Sequence, residues 1–198
     1  MKTKVLVITS MFALLTLGAV AQKSDKKFSV EINAGAAFPV KETGETKLNP
    51  GAGFEGLLHY RFMPHLGVYA GWGWNKLSAN NSFAGSDMCF EETGYVFGLQ
   101  FMHPIADYPF SYYVRGAGLY NHIEIENADG EIIHDTGHGL GFQVAGGINF
   151  NLGENWSLNP GVKFNALSRD MDFEGITTTL DYQYIAIRVG VIRKFWNC

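Results

Sequence analysis

From Lys27 onward, apolar residues occupy every second position over stretches of about 10 to 13 residues, and no stretch keeps a helical period. Alternation at period two is the mark of a β-strand whose two faces meet different surroundings. Eight such segments are predicted, at residues 27–38, 50–62, 66–77, 93–102, 110–121, 139–150, 156–167 and 180–196. One phase is apolar in each: Phe28, Val30, Ile32, Ala34, Ala36 and Phe38 in the first, Leu66, Val68, Ala70, Trp72 and Trp74 in the third, Tyr95, Phe97, Leu99 and Phe101 in the fourth, and Ile185, Ile187, Val189 and Val191 in the last. The opposite phase carries Glu31, Asn33, Glu55, His59, Arg61, Gln100, Arg115, Gln143, Lys163, Asn165 and Arg188, together with Gly35, Gly98, Gly147, Gly161 and Gly190.

Which phase points inward decides the class of protein. In a soluble eight-stranded barrel of lipocalin type the apolar face fills the interior, and in a membrane barrel the assignment inverts. Segment length separates the two. Soluble strands run about 5 to 6 residues, whereas a tilted membrane-spanning strand needs about 9 to 11. Glycines on the polar phase agree, because they leave room for bulky neighbours inside a narrow barrel. The connections alternate as well: 63–65, 103–109 and 151–155 are short, while 39–49, 78–92, 122–138 and 168–179 are long. Short turns on one side and long loops on the other, with an even strand number, are the architecture of an outer-membrane barrel. The expected fold is therefore all-β: an eight-stranded antiparallel up-and-down transmembrane β-barrel with a polar lumen filled by side chains.

The first 21 residues read as a leader, with basic Lys2 and Lys4, an apolar run from Val5 to Val20, and an Ala-Val-Ala ending before Gln22. This is the pattern of a secretory signal peptide cleaved after Ala21, and the run is short of the ~20 residues that a spanning helix needs. Two domains of the precursor follow: residues 1–21 as signal peptide and 22–198 as barrel. Lys+Arg number 15 against 19 for Asp+Glu, so loss of Lys2 and Lys4 leaves 13 against 19 and a mature charge of −6. Phosphate neutralisation needs clustered basic residues, so nucleic acid is not an expected partner.

The leader, the eight alternating strands and the Gly-rich phrases "GVYAGWGW", "YYVRGAGLY" and "FQVAGGINF" resemble the small outer-membrane β-barrels of the OmpA/OmpX type, and the outer-membrane β-barrel domain common in the Bacteroidetes. The resemblance implies contact with outer-membrane lipid and insertion by the outer-membrane assembly machinery, which reads an aromatic-ended last strand. Here that strand ends "VGVIRKFWNC", with Phe195 and Trp196 followed by Asn197 and Cys198.

Glu31, Glu55, His59, Arg61, Arg115, Lys163 and Arg188 all fall on the inward phase. Burial of charge demands pairing. Eight strands enclose only enough space for side chains, so a charge network that plugs the barrel is expected rather than an open channel. His134, Asp135 and His138 in "HDTGH" are weak metal candidates, because Gly137 and Gly139 disfavour the helix that would align them; the expectation is no metal and no other cofactor. Asp129-Gly130 signals a two-residue hairpin turn that carries the fifth and sixth strands beyond the membrane. The Arg169-Asp170-Met171-Asp172 run reads as a solvated turn. Cys89 and Cys198 belong to opposite sides of the barrel, too far apart for a disulfide. No set of nucleophile and positioned base stands out. The expected function is non-enzymatic, structural in the envelope or presenting loops to an extracellular ligand. The alternatives are a secreted lipocalin-like binding barrel, a small-solute channel and a lipid-modifying enzyme.

Overall fold

A computed structural model describes residues 27–106, 108–173 and 175–195. The leader, Trp196 and Cys198 lie outside the described residues. Among the described residues nine strands follow one another: β1 (Phe28–Pro39), β2 (Gly51–Arg61), β3 (Leu66–Ser82), β4 (Gly85–Pro104), β5 (Phe110–Glu126), β6 (Ile132–Asp135), β7 (Gly139–Asn151), β8 (Trp156–Phe173) and β9 (Ile176–Phe195). Eight of them form an antiparallel ring in which β1 pairs with β9, consecutive strands pair in turn, and β4–β5 and β5–β7 complete the circle. Closure leaves no exposed ladder edge within the ring, which is what a hydrocarbon environment requires. The remaining strand, β6, pairs with β5 and stands as an arm on the side of the long connections.

The outward phase forms a continuous apolar belt. Ile32, Leu58, Val68, Phe97, Leu99, Val114, Val144, Val162, Ile187 and Val189 are all exposed around its waist. Aromatic residues mark its periplasmic border at Phe28, Tyr60, Tyr112, Phe150, Trp156 and Phe195, and its outer border at Phe38, Trp72, Tyr95 and Tyr120. Such girdles are the interfacial anchors of a membrane barrel.

The strands continue well above this belt. The segments 78–92 and 168–179, expected to be loops, are mostly ladder: β3 and β4 pair out to Ser82↔Gly85, and β8 and β9 to Phe173↔Ile176. The Arg169–Asp172 run is accordingly strand rather than turn, with Asp170 and Asp172 accepting hydrogen bonds from Thr179 (2.7 Å) and Thr177 (2.6 Å) on the facing strand. Alternation persists here, but its chemistry reverses. Leu77, Phe90, Ile123, Ile125, Leu167, Met171, Leu180 and Tyr182 face inward and are buried together, while Lys76, Glu91, Glu124, Glu126, Asp170 and Asp181 occupy the outward phase. Water replaces lipid outside, so the apolar phase moves by one residue. The hairpin at Asp129-Gly130 is also wider than expected. Its turn spans residues 127–131 because the Asn127 side-chain oxygen accepts the amides of Asp129 and Glu131 at 3.0 and 2.9 Å.

Candidate functional site

The inward phase at membrane depth is a packed polar column. Arg115 on β5 donates to both oxygens of Glu31 on β1, at 3.2 and 2.5 Å, and its Nε donates to Gln100 on β4 at 2.7 Å. Nε2 of His59 lies 3.1 Å from the same Glu31 carboxylate, and Asn159 donates to it at 3.2 Å. Across the lumen Glu55 accepts from the Lys163 ammonium, from Gln143 at 2.8 Å and from Asn33 at 3.3 Å. Asn33 also reaches Glu31 at 3.2 Å and so joins the two carboxylates. Arg188 donates to the Asn75 side chain at 2.8 Å and to the Gly35 carbonyl at 3.2 Å. Arg61, at the end of β2, lies half-buried at the periplasmic mouth with His59, Asn149 and Lys194, where the lumen widens to about 80 Å³.

Alternation explains why these groups meet, since residues two apart on a strand share a face and the ring turns one phase of every strand inward. Glycine makes the fit possible. A Cβ on Gly147 would stand 2.7 Å from the Tyr113 hydroxyl, and one on Gly161 would collide with the same hydroxyl. A Cβ on Gly98 would stand 2.7 Å from the Tyr69 ring. The two tyrosines fill what the glycines vacate, and both stack near the guanidinium of Arg115, 4.5 Å from the Tyr113 ring centre and 5.4 Å from that of Tyr69.

Sequence reasoning missed one member of the column. Glu92 lies on the segment read as a loop, yet it is buried on the inward phase, accepting from Asn121 and from the Tyr184 hydroxyl, each at 2.7 Å. Its inclusion changes the balance. Glu31, Glu55 and Glu92 stand against Arg115, Lys163 and Arg188 in the buried lumen, so formal charge cancels once Arg61 is placed at the mouth. The detectable signal was parity: Glu92 is an even number of residues from Gly94, Gly98 and Gln100. A gap among Glu31, Glu55, Arg115, Lys163 and Arg188 measures about 20 Å³, enough for roughly one water. Above it Tyr184, Tyr182, Phe90, Leu77, Ile123 and Leu180 close the bore as an apolar layer.

The loop candidates separate. Asp135 meets His122, whose Nδ1 lies 2.8 Å from its Oδ1, and His138 stacks on the His122 ring at 4.3 Å. His134 pairs across from Ile125 on the opposite face of the arm and does not share that cluster. Burial tends to raise the Asp135 carboxyl pKa, but hydrogen bonds from His122 and the Gly137 amide outweigh it and hold the group below its ordinary value. Cys89 is a free thiol.

A closed antiparallel ring, greasy outside and charged inside, defines a β-barrel of the outer membrane. The family model described as the outer membrane protein beta-barrel domain matches residues 7–195, and the chain belongs to that family. Among solved structures it resembles Neisserial surface protein A (16% identity, 85% of this chain and 97% of that one, TM-score 0.59) and OprG from Pseudomonas aeruginosa (14%, 89% and 100%, 0.57). Outer Membrane Protein W of E. coli is also similar (14%, 87% and 100%, 0.51). At these identities the likeness is one of fold. No curated protein sequence matches the chain.

Proposed function

We propose that this chain is a non-enzymatic, non-conducting barrel that stabilises the outer membrane and carries a rigid extracellular turret able to present its hairpins to a ligand. The observation that supports this most is the two-layer filling of the lumen. A polar column leaves room for roughly one water beside Glu31 and Glu55, and an apolar layer of buried Tyr182, Phe90, Leu77 and Leu180 lies above it. An ion crossing this bore would have to displace both layers. The apolar belt sits against lipid, and the assembly machinery takes the β9 strand as its insertion signal. Secretion as a lipocalin-like soluble barrel conflicts with so wide an outward apolar belt.

Purified protein in planar bilayers tests the reading. Detergent-folded chain should insert without steady conductance and run on an unboiled gel with altered mobility. Reproducible ohmic steps from the wild-type protein would overturn the closed-lumen reading and favour the small-solute channel.

A further inference from the structure

Just above the outer aromatic border, the outward face of β5 and its arm gathers groups that the lumen does not use. His122 and Glu124 are two apart on β5 and share a face, and the register sets Asp135 of β6 directly beside Glu124. The His122 Nδ1 lies 2.8 Å from an Asp135 oxygen and 3.8 Å from a Glu124 oxygen. One donor atom from each of the three residues falls within 4.8 Å of the others. The His138 ring stacks on His122 at 4.3 Å and lies tilted against Tyr120 at 5.2 Å, so it packs against the imidazole.

We propose that His122, Glu124 and Asp135 form a surface site for a divalent transition metal of the zinc type. Three lines support it. The donor set is one imidazole nitrogen and two carboxylates, the chemistry of a three-ligand zinc site with an open fourth position. The spacing is near that of a tetrahedral site, whose donors about 2.0–2.1 Å from the ion stand roughly 3.3 Å apart: the two separations from His122 are 2.8 and 3.8 Å, and all three donor atoms lie within 4.8 Å of one another. Charge fits too: a neutral imidazole and two carboxylates sum to the negative charge that one divalent cation cancels. On the neighbouring strands Lys76 is engaged elsewhere, with Glu91 and Glu126 at 2.6 Å each, so its ammonium is committed away from the site. The ion would add a side-chain bridge between β5 and the arm, replacing the His122–Asp135 hydrogen bond that stands beside the ladder already joining them. His134 takes no part.

The test uses the full mature chain in detergent micelles or nanodiscs, titrated with ZnCl₂ against a chromophoric chelator. Folding of each variant is checked by heat-modifiability. The wild type is expected to bind one Zn²⁺ per chain. Losing an outer-shell partner alone weakens metal sites about 10- to 100-fold, so H122N and D135N are each expected to weaken binding at least tenfold, with H134N unchanged. Amide exchange in β6 supplies a second readout, since Zn²⁺ should slow exchange at Ile132–Asp135 in the wild type and not in H122N. Absence of stoichiometric binding, equal affinity in H122N, or Ca²⁺ binding as tight as Zn²⁺ and insensitive to H122N would each overturn the site. The last of these would indicate a diffuse acidic rim.

Discussion

Glu55→Gln is the substitution that probes the column most directly, because it keeps the shape of the side chain and removes one of the three carboxylates buried in the lumen, Glu31, Glu55 and Glu92. A glutamine oxygen can still accept from Gln143 or Asn33, so the loss falls on Lys163, whose side chain is only 6% exposed. Its ammonium would face an amide in place of a carboxylate, with Arg188 lining the same gap. Removing one partner of a buried pair costs about 3–5 kcal/mol, because the other charge is left without compensation. The double variant Glu55→Gln/Lys163→Met removes the orphaned cation as well, and should recover about 1–3 kcal/mol relative to the sum of the two single changes. Unfolding in urea from lipid vesicles, followed by tryptophan emission, gives both numbers. The interior of this barrel would need a different account if Glu55→Gln stayed within about 0.5 kcal/mol of the parent, the range of an ordinary surface change. The same holds if the double variant were no better than additive.

Gly161→Ala should force Tyr113 from its place against the Arg115 guanidinium and cost about 1–3 kcal/mol, with Tyr113→Phe/Gly161→Ala partly restored; equal stability of Gly161→Ala and parent in the same urea assay would show that the lumen is looser than drawn. Val189→Arg, at the waist of the lipid-facing belt, should cost about 2–4 kcal/mol of folding into vesicles, and tolerance of the arginine would mean that this position does not meet hydrocarbon. Gln100→Ala strips the acceptor from the Arg115 Nε and should cost about 1.5–3 kcal/mol, which two-state unfolding in vesicles can resolve. Hydrogen bonds from Lys41 (2.5 Å) and Ser168 (2.8 Å) hold the Asp181 carboxyl below its ordinary pKa. The folded pKa is the depressed one, so this tether of the residue 40–50 loop is present above the unfolded value near 4 and fades as pH falls through the lowered one. Proteolysis of that loop should quicken on acidification in the wild type and be fast at all pH values in Asp181→Asn.

The eight strands of the ring, its closure and the facing of the membrane segments were legible in the chain because period-two alternation is written into each segment from Phe28 to Val191, whereas the short β6 lay in a stretch read as a loop. The seven lumen candidates were found by phase alone, and phase is enough to place a side chain on the inner wall. It is not enough to assign partners. Glu31 with Arg115 and Glu55 with Lys163 are joined across 84 and 108 residues, a consequence of strand stagger around the ring that no single segment encodes. Asp135 meets His122 because the arm folds back on β5. That depends on the width of the turn at Asn127, and the Asp129-Gly130 signal pointed to a tighter one. Phe90 and Glu92 were lost for another reason, since they lie beyond the point where the apolar phase reverses, and a search for unbroken alternation begins the segment only after them, at residue 93.

That reversal follows from a change of solvent along the wall, from lipid to water. On β5 the outward residues are Tyr112, Val114 and Tyr120 up to the border, and His122, Glu124 and Glu126 beyond it, while the inward ones change from Tyr113 and Arg115 to Ile123 and Ile125. On β9 the inward face runs from Arg188 at membrane depth to Tyr184, Tyr182 and Leu180 above, and the outward face from Val189 to Asp181. One continuous ladder thus obeys two solvents in succession. In hydrocarbon the wall must be apolar outside, and the narrow bore accommodates charge only by pairing it. In water the wall is polar outside, and the same bore becomes a conventional hydrophobic core. The upper core lies over the lower column, where Glu31, Glu55 and their partners are buried and each pairing counts.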